Sequence, residues 1–223
     1  MSRHIAWGVL VFALTLLLEL PAAFVARQVP WPAQWQPDGV SGSVWQGRAT
    51  RFASLGPLEW EVRPWAREVR LNLGFQQRFW EGSVRGWPWN WQVQLAPRAA
   101  SAMPATAWVL DGRWQGRLQV NGAGRRCRSA EGELLGSELA LLSPWQINLG
   151  STRIELQCRD GLQLLAVLQL PGEHGFKVEA DLQRQRVQVD GRVEPDAAVI
   201  PLLVQARWLQ PSAQTFSKVL GKP

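Results

Sequence analysis

The stretch LEWEVRPWAREVRLNLGF, residues 58–75, decides the fold. Leu58, Trp60 and Val62 alternate with Glu59, Glu61 and Arg63. Val69, Leu71, Leu73 and Phe75 alternate with Glu68, Arg70, Asn72 and Gly74. A period of two gives each segment one apolar and one polar face, the pattern of a half-buried β-strand. The pattern continues outward. Trp89, Trp91, Val93 and Leu95 alternate with polar residues, as do Trp114, Gly116, Leu118 and Val120. Ile154, Leu156 and Cys158 follow, then Val187, Val189 and Val193. Leu162 to Leu170 is apolar on both faces except at Gln163 and Gln169, which suits a central strand covered twice. Turn signals separate these runs at Gly56-Pro57, Gly86-Trp87-Pro88, Asn121-Gly122, Asp160-Gly161 and Pro171-Gly172. The expected class is therefore mostly β. Residues 40–195 read as an antiparallel meander, built as a curved sheet, sandwich or half-barrel, and not as a βαβ fold.

Three segments depart from that rhythm. Leu134 to Leu142 lacks clean alternation and reads as a helical turn or loop. Pro195 to Leu209 reads as a short helix with Asp196 near its start, although Pro201 falls inside it. Ser212 to Leu220 reads as one more short helix, making residues 196–223 a helical or irregular tail.

The beginning of the chain sets the compartment. After a short start, residues 1–4, comes IAWGVLVFALTLLLELPAAFVA, residues 5–26, with Glu19 as its one charge. As a continuous helix it would be about 33 Å long, the thickness of a bilayer core. Cleavage after Ala26 or Ala23 would put Phe24 or Pro21 at the −3 position, where a small residue is wanted. The expectation is an uncleaved transmembrane signal anchor with a cytoplasmic N-terminus and an exported bulk. Glu19 lies in the last third of this span, placed to reach the interface or a partner helix. Residues 27–39 form a Pro/Trp-rich linker. Its Trp31 and Trp35 suit either the membrane–water interface or a lid on the first strands.

The 223 residues carry a formal net charge of +6. The arginines are scattered singly, with Arg125, Arg126 and Arg128 the densest group, so a nucleic-acid partner is not expected. Attraction to an anionic membrane surface is the next reading of that charge. Cys127 and Cys158 are the only two cysteines, and an even count in an exported domain reads as one disulfide. With only His4 and His174 for histidines, no zinc site and no other cofactor are expected.

Catalytic signatures are missing. No glycine-rich phosphate loop, HExxH or GxSxG segment occurs. His174 sits in PGEHG and reads as an exposed turn histidine. Glu59 and Glu61 share a strand face roughly 6.5–7 Å apart, near the separations glycosidases use, but polar alternation produces such pairs routinely. No enzyme is expected.

GVSGSVWQGRA, residues 39–49, has an echo in GRWQGR, residues 112–117. Trp45 shares a face with Gly47, and Trp114 with Gly116, so the pair reads as a repeated Trp-x-Gly packing device. The first copy also carries a resemblance. Gly42, Val44, Trp45 and Gly47, followed by Trp60 and Pro64 in LEWEVRP, stand in the order Gly-[Thr/Ser]-[Leu/Val]-Trp-x-Gly-x-Ala, then Trp-x-[Leu/Val]-x-Pro. With the N-terminal apolar run before them and the cysteine pair after, this resembles the type II secretion system protein N family, also called general secretion pathway protein N. The likeness runs to about residue 195. It implies a bacterial inner-membrane accessory protein, single-pass, exposing a periplasmic β-domain to other inner-membrane components of the secretion machinery. The runner-up is an envelope lipid- or glycolipid-binding trough, with Trp89, Trp91, Trp114 and Leu118 lining a groove.

Overall fold

In the computed structural model, residues 2–32, 35–52, 55–75, 78–100, 109–143 and 145–221 are described. The alternating segments form one antiparallel sheet of fourteen strands. These are β1 (Pro37–Asp38), β2 (Ser41–Gly42), β3 (Gln46–Phe52), β4 (Gly56–Arg63), β5 (Glu68–Phe75), β6 (Arg78–Trp87) and β7 (Asn90–Ala100). They continue as β8 (Val109–Ala123), β9 (Arg126–Ser143), β10 (Ile147–Cys158), β11 (Leu162–Leu170), β12 (His174–Asp181), β13 (Arg186–Val193) and β14 (Thr215–Gly221). From β3 onward each strand pairs with the one before it and the one after it, without a crossover. β1 and β2 both pair with β3, and β14 pairs with β13 alone, so the sheet is open among the described residues.

Register follows from the apolar pattern, because a slip of one residue would turn every side chain to the other face. Val62, Val69, Val84, Val93 and Val120 stand opposite one another across five strands. Trp60, Leu71, Gly82, Leu95 and Leu118 form the next row. In the later half, Ile154, Ala166, Val178 and Val189 do the same. One face of the sheet is thus apolar throughout.

The main core lies at one end of this sheet. Leu141, Ile147 and Val193 meet Ala197, Val199, Leu203 and Leu209 from the segment between β13 and β14, with Trp145, Phe176 and Phe216 packed around them. That segment carries the helix α3 (Ile200–Gln205), and Pro201 sits in its first turn, where a missing N–H costs nothing. The molecule exposes 15192 Å². A compact monomer of its 25.0 kDa mass exposes roughly 10,200 Å² by the size scaling of folded proteins. The excess belongs to an open sheet whose apolar face is only partly covered, and to the exposed helix at the N-terminus.

Several expectations are corrected. The apolar run 5–26 is not one helix. α1 (Ser2–Leu18) ends before Glu19, and α2 (Ala22–Gln28) begins afresh after Pro21. Proline lacks the N–H that would continue the ladder and disfavours helix at the residue before it, Leu20. Seventeen residues rise about 26 Å, short of the ~30 Å hydrocarbon core. Among the described residues no helix is long and apolar enough to cross a membrane. The single transmembrane helix expected over residues 5–26 is therefore not found among the described residues.

Leu134 to Leu142 is strand, the later part of β9. Its alternation fails because Glu138 adopts a left-handed φ of 55° at a bulge. Leu134 faces inward before it, while Leu139 and Leu141 face inward after it, so the phase of the pattern flips. Ser212 to Leu220 is not a helix either. Thr215–Gly221 is β14, with Phe216, Lys218 and Leu220 opposite Gly191, Val189 and Val187. An unpaired β13 edge offered hydrogen bonds that a short isolated helix could not match. β11 pairs on both sides but is half-buried, not covered twice.

Candidate functional site

The segment around Trp45 fastens the N-terminal chain to the sheet. Gly42 has φ +90°, and a Cβ there would lie 2.5 Å from the Gln46 carbonyl. The Ser43 N–H donates to that carbonyl at 2.8 Å, closing the turn between β2 and β3. The Val44 N–H donates to Leu20 at 3.0 Å, and Pro21 bridges to Ser43. The Trp45 carbonyl accepts from the Val62 N–H at 2.6 Å, and the Trp60 indole N–H reaches the Val44 carbonyl at 3.1 Å. Pro64 opens the next turn, its carbonyl accepting from Arg67 at 3.1 Å.

The Trp-x-Gly device is not within one strand. A Cβ on Gly47 would meet the ring of Trp60 at 2.4 Å, so Gly47 makes room for the residue across from it. Gly116, at φ +100°, faces the Glu133 carbonyl, while Trp114 packs edge-on against Trp80 at 5.4 Å. The recurring device is an aromatic ring over a cross-strand glycine. Trp91 lies over Gly122 and Phe216 over Gly191 in the same way, each 2.2 Å from where a Cβ would stand.

Trp31 and Trp35 pack on Phe52, at 6.3 and 5.8 Å between ring centroids. The Trp31 indole donates to the Ala26 carbonyl at 2.8 Å. With α2, Trp31 roofs an apolar cavity of about 210 Å³ whose floor includes Ala49, Phe52, Leu58 and Trp60. Trp31 and Trp35 both stay partly exposed. Glu19 is exposed just past α1, with its backbone N–H on Thr15.

Coverage of the apolar face changes along the sheet. Leu118, Val120 and Leu134 are under 5% exposed, whereas Leu71, Val84 and Leu95 are 36 to 37% exposed. Trp91 and Trp114 are half-buried on this face, but Trp89 is not part of it. It stands 64% exposed in the β6–β7 turn, stacked on Trp87. The polar face holds a groove of about 610 Å³ between Arg48, Glu59, Glu61, Arg70, Glu81 and Arg98. Glu61 is paired with Arg63 at 2.7 Å. Glu68 is buried, held by Arg70 at 2.9 Å and Arg85 at 2.8 Å, and hydrogen bonds from both arginines keep its carboxyl below the usual range. Charges of both signs, several of them in ion pairs, suit docking of a polar partner more than proton transfer.

His174 is not an exposed turn residue. It opens β12, is 6% exposed and stacks on Phe176 at 5.0 Å. Burial pushes its pKa down, partly offset by the Leu149 backbone and the Glu173 charge, so it is held neutral. Among the described residues, no group of three His, Cys, Asp or Glu is placed to hold a metal.

Cys127 and Cys158 form the disulfide, with Cα atoms 5.5 Å apart. Its position is informative. Pairing between β9 and β10 runs from Leu141 and Ile147 to Glu133 and Glu155, then stops. Beyond that point no ladder pairs the two strands, and the bridge joins them there. Nearby, the Gln183 amide donates to the Arg125 carbonyl at 2.9 Å, tying the β12–β13 turn to the β8–β9 turn.

Sequence reasoning missed two features. Glu68 looked like an ordinary polar-face residue. Its burial depends on Arg85, seventeen residues on, which comes opposite it only through register. Trp65, Trp87 and Trp89 went unremarked as a group. Their signal was proline beside tryptophan in two successive turns.

Comparison with known proteins fits this picture. A protein of Vibrio cholerae serotype O1, named Type II secretion system protein N, is 25% identical over 96% of each chain. One of the same name from Aeromonas hydrophila is 38% identical over 32% of each chain. No solved structure matches. A family model described as Type II secretion system (T2SS), protein N matches residues 33–207, the stretch running from the linker through the sheet to α3. The chain belongs to the type II secretion system protein N family.

Proposed function

We propose that this secretion-system component acts by binding and not by chemistry. It works on the periplasmic side of the inner membrane, where its sheet contacts other components of the machinery. The observation that carries the reading is the open edge of β14, which pairs on one side only and leaves Val219 and Leu220 54% and 46% exposed. An edge of this kind presents backbone donors and acceptors to an added strand. The Cys127–Cys158 bridge supports an oxidising compartment. The motif residues Gly42, Val44, Trp45, Gly47, Trp60 and Pro64 act in this reading as the fastening of the sheet's first strands. Trp31, Trp35 and Glu19 flank that fastening as further contact points.

The test is photo-crosslinking from Lys218 and Val219 in native membranes. Recovery of another component of the machinery is the expected result, and Val219→Lys should reduce both crosslinking and secretion. Repeated recovery of no secretion component from either position would sink the proposal.

A second reading has one observation in its favour. Leu71, Val84 and Leu95 leave part of the apolar face open, which suits a lipid or glycolipid chain. Mass spectra of gently extracted protein without bound lipid would eliminate it.

A further inference from the structure

The turns at one end of the sheet form a surface of unusual composition. They join β4 to β5, β6 to β7, β8 to β9, β10 to β11 and β12 to β13. Trp65 is 92% exposed, Trp89 64% and Trp87 44%. Trp87 and Trp89 stack at 5.0 Å, and the Arg67 guanidinium lies over Trp87 at 4.5 Å from its centroid. The backbone beneath these rings is tied together. The Gly86 N–H donates to the Arg67 carbonyl at 3.0 Å, and the Gly124 N–H to the Pro88 carbonyl at 2.6 Å, so three successive turns are tied together. The same turns carry Arg67, Arg125, Arg159 and Arg184 against the acidic Asp160. Among the described residues, no carboxylate pairs with Arg67, Arg125 or Arg159, while Arg184 is held by Asp181.

A second, independent observation points the same way. α1 presents Ile5, Trp7, Val9, Phe12, Leu16 and Leu18 to the surroundings, each at least 55% exposed. The chain leaving α1 joins the sheet at this end. Leu20 and Pro21 bond to Val44 and Ser43, immediately before β3, whose Gln46 is opposite Glu61 near the β4–β5 turn.

We propose that this end of the sheet docks on an anionic lipid surface. Tryptophan rings prefer the headgroup level, where an apolar body and an N–H are both accommodated. Unpaired arginines are drawn to anionic headgroups over a Debye length. The exposed apolar side chains of α1 bring the same end to that surface. The sheet then stands on its turns, with β14 and both faces available, so this proposal stands or falls separately from the binding role above.

The test uses the full chain with its disulfide intact. Ala66→Cys, between Trp65 and Arg67, supplies one free thiol for an environment-sensitive fluorophore. Glu194→Cys at the opposite end supplies the reference. Each labelled protein is reconstituted in phosphatidylcholine vesicles with and without phosphatidylglycerol, using nitroxide-bearing lipids as quenchers. The expected result is quenching of the label at position 66 in anionic vesicles, at least several-fold above that at position 194. It should be lost in high salt, and lost when Arg67 and Arg125 become Gln or Trp65 and Trp89 become Ala. Quenching no greater than at the reference position overturns the proposal. Equal quenching in purely zwitterionic vesicles also overturns it. So does a position-66 label indifferent to lipid but shielded by another secretion component, which would make this end a protein-docking site.

Discussion

At the residue scale, glycines opposite aromatic rings and a few buried polar groups hold the sheet. Gly47→Ala or Gly122→Ala would drive a methyl into the ring of Trp60 or Trp91. Overpacking of this kind costs about 1–3 kcal/mol, and a lowered urea midpoint with unchanged slope is the expected signature. The buried titratable groups make stability depend on pH. The Glu68 carboxyl is depressed below its ordinary value of 4.5, so its contribution is complete above that value and is lost as pH falls through the folded one. His174 is depressed below 6.5, so the unfolded chain takes up a proton first and stability declines as pH falls below 6.5. Both groups should contribute to the acid side of urea titrations, His174 from the higher pH. His174→Phe should remove the higher-pH contribution and change stability at pH 8 by less than about 1.5 kcal/mol, whereas Glu68→Gln should remove the lower one. A His174→Phe protein that still weakened between pH 7 and pH 5 would contradict this assignment.

At the element scale, the disulfide acts where hydrogen bonding ends. Closing a loop with a sequence separation of 31 is worth about 3–4 kcal/mol in the chain-entropy model. Reduction, or Cys127→Ser with Cys158→Ser, should lower the unfolding midpoint accordingly. Amide exchange should accelerate first at residues 127–132 and 156–158, where β9 and β10 have no ladder between them. Strands with clean alternation were legible in the sequence, and so was their order. What escaped was whatever depends on register or on local backbone sign. The bulge at Glu138 inverts the phase of β9, and no residue near it announces a positive φ. β14 looks helical in isolation and becomes strand because β13 needs a neighbour. Trp60 finds Gly47 only because the hairpin brings them opposite, so the ring over that glycine belongs to the next strand and not to its own Trp-x-Gly unit. The break between α1 and α2 was written in Pro21, outweighed in the reading by the apolar run around it.

At the scale of the whole molecule, an open sheet with a half-covered apolar face is shaped to be completed by something else. The face from β4 to β7 tests this. Leu71→Gln together with Val84→Gln places polar groups at positions already more than one-third exposed, so stability should change by less than about 1 kcal/mol. Secretion and recovery of partners should nonetheless fall. Variants that secrete normally would show that this face is not used. The nearest-neighbour strand order also bears on how the chain folds as it emerges. It delivers β3, then β4, then β5, and each newly arrived strand finds its partner already in place. The sheet can grow one hairpin at a time without waiting for distant sequence, which keeps contact order low for an all-β protein. Longer-range contacts must wait for later sequence, among them oxidation of Cys127 once Cys158 has emerged, the Gln183 amide reaching the Arg125 carbonyl, and arrival of the α3 segment that seals the core.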